Sequence, residues 1–341
     1  MWIGIPRKDN EQLMIISGNQ VERVDIHAHI AVTPPPFAER RGDPRWPSLQ
    51  IDGEVGRLYR DGNVVRTLSP AVWSLEARLA DLDETKLDHQ VLSLVPPMIC
   101  ETADADADTQ WARHLNHEIS AAVGQFPDRF SGMGTVPLAH PERAAEMLPE
   151  VKALGLVGVE IGTTAGGREL DDPALLEFFQ AAGELGMFVL IHPISFGPNG
   201  AWTSRIQTTE INYGLGMTSD TAVAASRLVF GGTLAASPGL SVCLAHGGGT
   251  FAWALPRIAH MWDARHDVPA ADLVRNLYVD TVVFDPQNIR YLVDRLGADH
   301  VLFGTDHPMP GFDSLGGEVL NHLSLDERRL IESDNILRLL R

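Results

Sequence analysis

The chain has 341 residues, 45 acidic against 27 Lys plus Arg, for a formal net charge of -18 with histidines neutral. That balance argues against a basic nucleic-acid binder, because a polyanion would be repelled over most of the surface. Hydrophobic residues make up 44% and charged residues 21%, which excludes a disordered chain and leaves length for one large domain.

Residues 1–20 mix short apolar pieces with Arg7, Lys8, Asp9, Asn10 and Glu11, so no secretory leader is expected there. No window approaches the roughly 18 apolar residues that a membrane-spanning helix needs. The two cysteines, Cys100 and Cys243, cannot build a disulfide framework, and a cytoplasmic location is expected.

Short runs rich in Val, Ile and Leu fall at 21–30, 90–95, 132–136, 157–161, 188–191, 242–245, 277–279 and 301–303. Each reads as a strand buried on both faces, as parallel strands under helices must be. Helical spacing occupies 75–87, 111–126, 141–154, 173–185, 219–236, 251–262, 286–296 and 326–340. The alternation predicts an α/β fold, a (β/α)8 TIM barrel spanning 1–341 as one domain, with a doubly wound open sheet as the other architecture. The short strand at 277–279 is the weakest point of that reading.

Two connections exceed what a barrel needs. The first, 32–71, starts at Pro34-Pro35-Pro36 and contains a hairpin, 55–59 and 64–68 about a turn at Asp61-Gly62-Asn63. The second, 195–218, carries Trp202, Arg205 and Tyr213. Both follow strands, which puts them on the C-terminal face where barrel active sites form.

The first strand ends Asp25-Ile26-His27-Ala28-His29. Residues two apart share a strand face, so His27 and His29 stand about 6.6 Å apart along it and could hold one metal ion. Strand five ends at His192, strand six at His246 before Gly247-Gly248-Gly249, and strand eight at Gly304-Thr305-Asp306-His307-Pro308. Barrel strand ends converge on one rim, and a buried unpaired His or Asp is costly, so the set is poorly explained as core filling.

These motifs identify a resemblance to the metal-dependent amidohydrolase superfamily, from about Val21 to the chain end. Within it the chain is similar to the branch containing 2-amino-3-carboxymuconate 6-semialdehyde decarboxylase and related aromatic-acid decarboxylases. The resemblance rests on Asp-Ile-His-Ala-His at 25–29, Ile-His-Pro at 191–193, Ala-His-Gly-Gly-Gly at 245–249, Asp285-Pro286 and Gly-Thr-Asp-His-Pro at 304–308. It implies one divalent metal, Zn²⁺ or alternatively Mn²⁺, held by His27, His29, His192 and Asp306.

His246 matches either a further ligand or, in this branch, a general acid/base beside the metal. In the second role it deprotonates metal-bound water and later protonates carbon, and an imidazole titrating near neutrality suits both. The resemblance also places Arg66 on a substrate carboxylate, although alone it reads as an exposed hairpin charge. Arg257 matches an arginine that reaches into a neighbouring subunit's site, implying a homodimer. A guanidinium fork fits a carboxylate by two parallel hydrogen bonds.

The implied activity is non-oxidative decarboxylation of a carboxylated aromatic or muconate-semialdehyde-type acid. Hydrolysis of an amide or lactone, or hydration of an unsaturated acid, is the alternative use of the same site. Departures from the family pattern are Ile194-Ser195 where Trp-Asp often follows His-Pro, and Phe284 where a His often precedes Asp-Pro. Trp202 or Phe196 could replace the missing aromatic wall, and Trp73 could shape the pocket. His89, His114, His117, His140, His260, His266, His300 and His322 read as surface or packing residues. Asp104, Asp106 and Asp108 read as a solvated loop and helix cap.

Overall fold

The eight apolar runs become parallel strands because each is covered on both faces. A computed structural model describes residues 15–16, 19–32, 46–99, 101–102, 104–194, 208–309 and 317–340. The barrel strands are β1 (Val24–Ile30), β2 (His89–Leu94), β3 (Phe130–Gly134), β4 (Gly158–Ile161), β5 (Phe188–Ile191), β6 (Ser241–Leu244), β7 (Leu277–Asp280) and β8 (Val301–Leu302). They lie side by side in chain order in one eight-stranded sheet. The Ile26 N–H donates to the Phe303 carbonyl (2.9 Å) and the His29 N–H to the His307 carbonyl (2.8 Å), which brings the last strand back onto the first. The expected (β/α)8 barrel is therefore observed, and the weak strand at 277–279 is a full member between β6 and β8.

Helices alternate with the strands: α1 (Leu75–Thr85), α2 (Ala105–Val123), α3 (Pro141–Ala153), α4 (Leu176–Glu184), α5 (Met217–Phe230), α6 (Phe251–Asp263) and α7 (Pro286–Leu296). Side chains at their starts satisfy free backbone donors: Ser74 accepts from Ala77 (3.2 Å), Asp104 from Ala107 (3.0 Å) and Asp285 from Gln287 (2.7 Å). Leu82, Leu115, Phe178, Leu228 and Ile289 are fully buried between helices and sheet. Each such burial contributes about 1.5–3 kcal/mol.

Several boundaries differ from the pattern-based expectation for local reasons. α2 begins at Ala105, six residues before the expected 111, because Asp104 caps it. Asp108 is not solvated: it is buried and accepts from the Thr102 amide (2.7 Å) and hydroxyl (2.6 Å). The expected closing helix 326–340 is interrupted by a wide i→i+5 turn at Leu330–Asp334. The hairpin is joined by a third strand, Ser48–Asp52, to make an antiparallel sheet with Val55–Arg60 and Asn63–Leu68. Trp73 packs beside Gly56, where an added Cβ would lie 2.5 Å from its ring, and it does not line the pocket that holds the metal-ligand residues. The residues Pro34, Pro35, Pro36, Cys100, Phe196, Trp202 and Arg205 lie outside the described residues. No helix among the described residues is long and apolar enough to cross a membrane.

Candidate metal centre and active site

Period-two spacing on β1 aims His27 and His29 at the barrel interior, where both are buried; Asp25, also buried, precedes a register shift between Asp25 and Ala28 that breaks the alternation. The segment after β8 is laid against that strand, since the Asp306 N–H donates to the His27 carbonyl at 2.7 Å. This puts the Asp306 carboxylate beside the two imidazoles, with Oδ1 at 3.1 Å from His29 Nε2 and 3.6 Å from His27 Nε2. His192 follows β5 directly, its N–H donating to the Ile161 carbonyl on β4 (2.9 Å). One donor atom from each of His27, His29, His192 and Asp306 lies within 4.8 Å of all the others.

The three rings stand 5.0, 5.1 and 5.0 Å apart between centroids and are mutually near-perpendicular, at 88°, 86° and 90°. Their tautomers follow from their outer hydrogen bonds. His27 Nδ1 meets Asp280 Oδ2 at 2.6 Å, His29 Nδ1 donates to the Leu94 carbonyl at 2.8 Å, and His192 Nδ1 donates to the Pro193 carbonyl at 2.9 Å. With each Nδ1 proton directed outward, each Nε2 lone pair points to the common centre. His192 Nε2 is buried and has no hydrogen-bond partner among the described residues. Three converging lone pairs and one carboxylate oxygen are a donor set for a divalent cation of borderline softness, so the residues present fit a metal ion.

Electrostatics reinforce this arrangement. Burial, together with the neighbouring His246, His29 and His27, holds His192 well below the usual imidazole range. Burial pushes Asp306 up, but the neighbouring imidazoles of His246, His29 and His27 outweigh it and hold the carboxyl well below its ordinary range.

His246 leaves β6 in a left-handed backbone conformation (φ 57°) followed by three glycines of positive φ. Gly249 is required by space as well: a Cβ there would lie 1.9 Å from the Thr218 carbonyl oxygen. His246 stacks edge-on near His192, with centroids 4.8 Å apart, and its Nε2 is 3.9 Å from Asp306 Oδ2. His29, His192, His246 and Asp306 form the floor of a pocket of about 280 Å³. Arg66 and Tyr213 stand on its wall, with apolar surface from Pro96, Met217, Phe284 and Met309. The aromatic wall among the described residues is thus Tyr213 with Phe284. Arg257 is exposed on α6 and does not line this pocket.

Sequence patterning missed the groups that hold the site. Asp280, fully buried, binds the His27 imidazole and also accepts from the backbone of His246 (3.0 Å) and Gly247 (2.7 Å). Asp25 accepts from the His27 amide (3.0 Å), the Thr305 amide (3.1 Å) and hydroxyl (2.7 Å), and Gln90 (2.8 Å). Burial raises its carboxyl to about 6 against those bonds. Arg78 is buried in full, donates to the His29 carbonyl and to Gln90 Oε1 (3.0 Å), and is pulled down to about 9 by desolvation. His307, whose Nε2 meets Asp81 at 3.1 Å, is held at about 3 by burial and by Arg78. Glu160 on β4 is buried and raised to about 7 by desolvation, against the charge of His29.

Comparison with known proteins agrees with this geometry. A sequence profile described as amidohydrolase matches residues 24–341. A 2-amino-3-carboxymuconate-6-semialdehyde decarboxylase of Dictyostelium discoideum is 31% identical over 92% of this chain and 89% of its own length. Among solved structures, the apo form of Metarhizium anisopliae IDCase superposes with a TM-score of 0.78 at 24% identity, covering 96% of this chain and 99% of that one. A dihydroxybenzoic acid decarboxylase from Polaromonas sp. JS666, with bound manganese and the inhibitor 2-nitroresorcinol, gives 0.73 at 22% identity over 94% and 97%.

Proposed function

The chain belongs to the amidohydrolase family, and on that premise we propose that it is a metal-dependent, non-oxidative decarboxylase of a carboxylated aromatic or muconate-semialdehyde-type acid. The observation that carries this reading is the outward tethering of all three Nδ1 atoms, which leaves three Nε2 atoms and the Asp306 carboxylate converging beneath His246 and Arg66. The imidazole-rich set supports zinc, and the manganese of the Polaromonas enzyme makes Mn²⁺ the alternative. An ion held there supplies Lewis acidity toward substrate oxygens.

The protein's own groups do the rest. Arg66 orients a substrate carboxylate through its fork of N–H donors, and the apolar wall shields the ring from water. Asp306, kept ionised, serves as a ligand and faces His246. His246 delivers a proton to the carbon bearing the leaving carboxylate, forming the C–H bond. The carbon–carbon bond to that carboxylate then breaks, its electron pair restores the conjugated system, and CO₂ departs.

Arg257 acts in this reading from a second subunit of a homodimer. Its exposure on α6, outside its own pocket and between the exposed Trp253 and Met261 at four-residue spacing, supports that place. The low cysteine count supports a cytoplasmic setting.

Metal analysis of the wild type and two variants, with CO₂ release measured on a panel of aromatic and dienoic acids, tests the reading. About one divalent ion per chain is expected, lost in His192→Ala and retained in His246→Ala, which loses turnover. Conversion of the panel to hydrates or hydrolysis products without CO₂ overturns the reaction class. Mixing inactive Arg257→Ala with inactive His246→Ala restores activity if the arginine acts across subunits.

A further inference from the structure

Arg66 and Tyr213 come from opposite sides of the barrel. Arg66 lies on Asn63–Leu68, in the segment after β1, and Tyr213 lies in the segment after β5. In a closed sheet of eight strands taken in chain order, those two strands are four apart, which is diametrically across. The two side chains nevertheless meet above the pocket that both line, with Arg66 Cζ over the Tyr213 ring at 5.4 Å from its centroid. The longest excursions of the rim are therefore joined over the metal-ligand residues by one cation–aromatic contact.

The local backbone is shaped for this. Asn212–Gly216 is a π-helical turn leading into α5, a wide form that is uncommon and recurs at functional sites. It places Tyr213 and Gly214 on the pocket wall while Met217, one turn later, stays buried in the lining. An arginine side chain is flexible and loses much rotamer freedom when fixed. Seating its plane over an aromatic face fixes it and leaves the in-plane N–H donors aimed sideways, where a carboxylate can take two of them. Arg66 Nη1 also donates to the Val65 carbonyl (2.7 Å), which restrains the near end of the same group.

We propose that Tyr213 is the positioning residue for Arg66, its ring holding the guanidinium across the mouth of the pocket so that the site prefers anionic over neutral aromatic ligands. The inference rests on the assignment of Arg66 to a substrate carboxylate made above. The role belongs to the ring face and not to the phenol, which separates it from hydrogen bonding by the hydroxyl.

Calorimetry on zinc-loaded protein with 2,6-dihydroxybenzoate and its neutral counterpart 2,6-dihydroxybenzamide measures the preference directly. Wild type prefers the acid, and Arg66→Gln abolishes that preference. Tyr213→Phe keeps the preference within about twofold, because the ring remains. Tyr213→Leu lowers it by roughly five- to thirtyfold, the range of a partly desolvated cation–aromatic contact. In turnover the same variant raises KM for an acidic substrate while kcat holds. Tyr213→Met carries the same expectation should Tyr213→Leu fail to fold. Full retention of preference in Tyr213→Leu, with loss in Arg66→Gln, overturns the role of Tyr213 and leaves Arg66 standing. Retention in Arg66→Gln, or no preference in wild type, overturns the assignment of Arg66 and this inference with it.

Discussion

Replacing Asp280 by Asn tests whether one carboxylate ties the metal ligands to the proposed acid/base. Asp280 Oδ2 faces His27 Nδ1 (2.6 Å) and the His246 N–H (3.0 Å), while Oδ1 faces the N–H groups of Gly247 (2.7 Å) and Val282 (3.0 Å). All four neighbours donate, so in either orientation the Asn amide sets an NH₂ against two donors. Burial opposes the charge of Asp280, but the His27 bond, the charges of His27 and His246 and the Gly247 N–H together outweigh it and hold the carboxyl below its ordinary range, so a charge-assisted bond is lost as well. Losing such a bond and stranding a donor in a buried site costs about 2–4 kcal/mol. With the NH₂ turned toward His27, the ring escapes the clash by moving its proton to Nε2, the atom that lies 3.1 Å from His29 Nε2 and 3.6 Å from Asp306; the flipped amide sets its NH₂ against Gly247 and Val282 and distorts the His246 loop instead. A protonated Nε2 cannot ligate, and disrupting a partner of this kind weakens metal binding about 10–100-fold. Urea unfolding of metal-free protein and zinc competition against a chromophoric chelator read the two effects separately. Stability within about 0.5 kcal/mol of wild type together with zinc affinity within about twofold would refute the reasoning.

Gly249→Ala forces a Cβ to within 1.9 Å of the Thr218 carbonyl at a φ of +59°, so the His246 loop must shift. Turnover is expected to fall at least tenfold with zinc stoichiometry intact, and steady-state kinetics with metal analysis checks both. Arg78→Met leaves the His29 carbonyl and Gln90 Oε1 without their buried donor, and a loss of about 3–5 kcal/mol is expected in urea unfolding. A loss under about 1 kcal/mol would show that this contact is replaceable. Glu327 is held at about 2, below the ordinary 4.5, by the Ser324 amide and hydroxyl and by Arg290. A depressed carboxyl contributes stability that is complete above pH 4.5 and fades as pH falls toward 2, so Glu327→Gln should flatten that limb of the stability profile. The group is partly exposed at the surface, and solvent screening keeps the effect under about 1 kcal/mol in thermal melts across pH.

The part of the site visible in the sequence is the part that obeys strand periodicity. His27 and His29 share a face of β1 by spacing alone, and His192 follows β5 directly. The rule breaks at Asp25, because a register shift between Asp25 and Ala28 interrupts the alternation and leaves Asp25 to anchor Thr305. Asp280 ends β7 as the ligands end or follow other strands, but that strand is too short for its periodicity to single the residue out. Arg78 and Gln90 offered no such signal: one sits among ordinary helix residues and the other opens a strand. Their pairing depends on how α1 closes over β2, a tertiary contact that no local pattern encodes. Asp108 departs from its pattern for the opposite reason, since a run of acids near a helix start has a solvated signature until Thr102 folds back onto one of them.

The net charge of -18 and an anionic substrate are reconciled by distance. Exposed charges act over about 8 Å at physiological salt, so the acidic exterior sets a weak repulsion at long range and says little about the pocket. Among the described residues lining the pocket a single carboxylate, Asp306, is present and committed to the ligand set, and Arg66 stands above it. A divalent ion on that set would more than cancel Asp306, leaving a positive focus in a confined, partly apolar space where charge interactions are strongest. That focus has value only if its cations are held in place, because a mobile arginine on an acidic surface would turn toward the nearest exterior carboxylate. Fixing Arg66 over Tyr213 and fixing His27 against Asp280 are thus two solutions to one problem, keeping charge aimed inward on a molecule whose surface draws it outward.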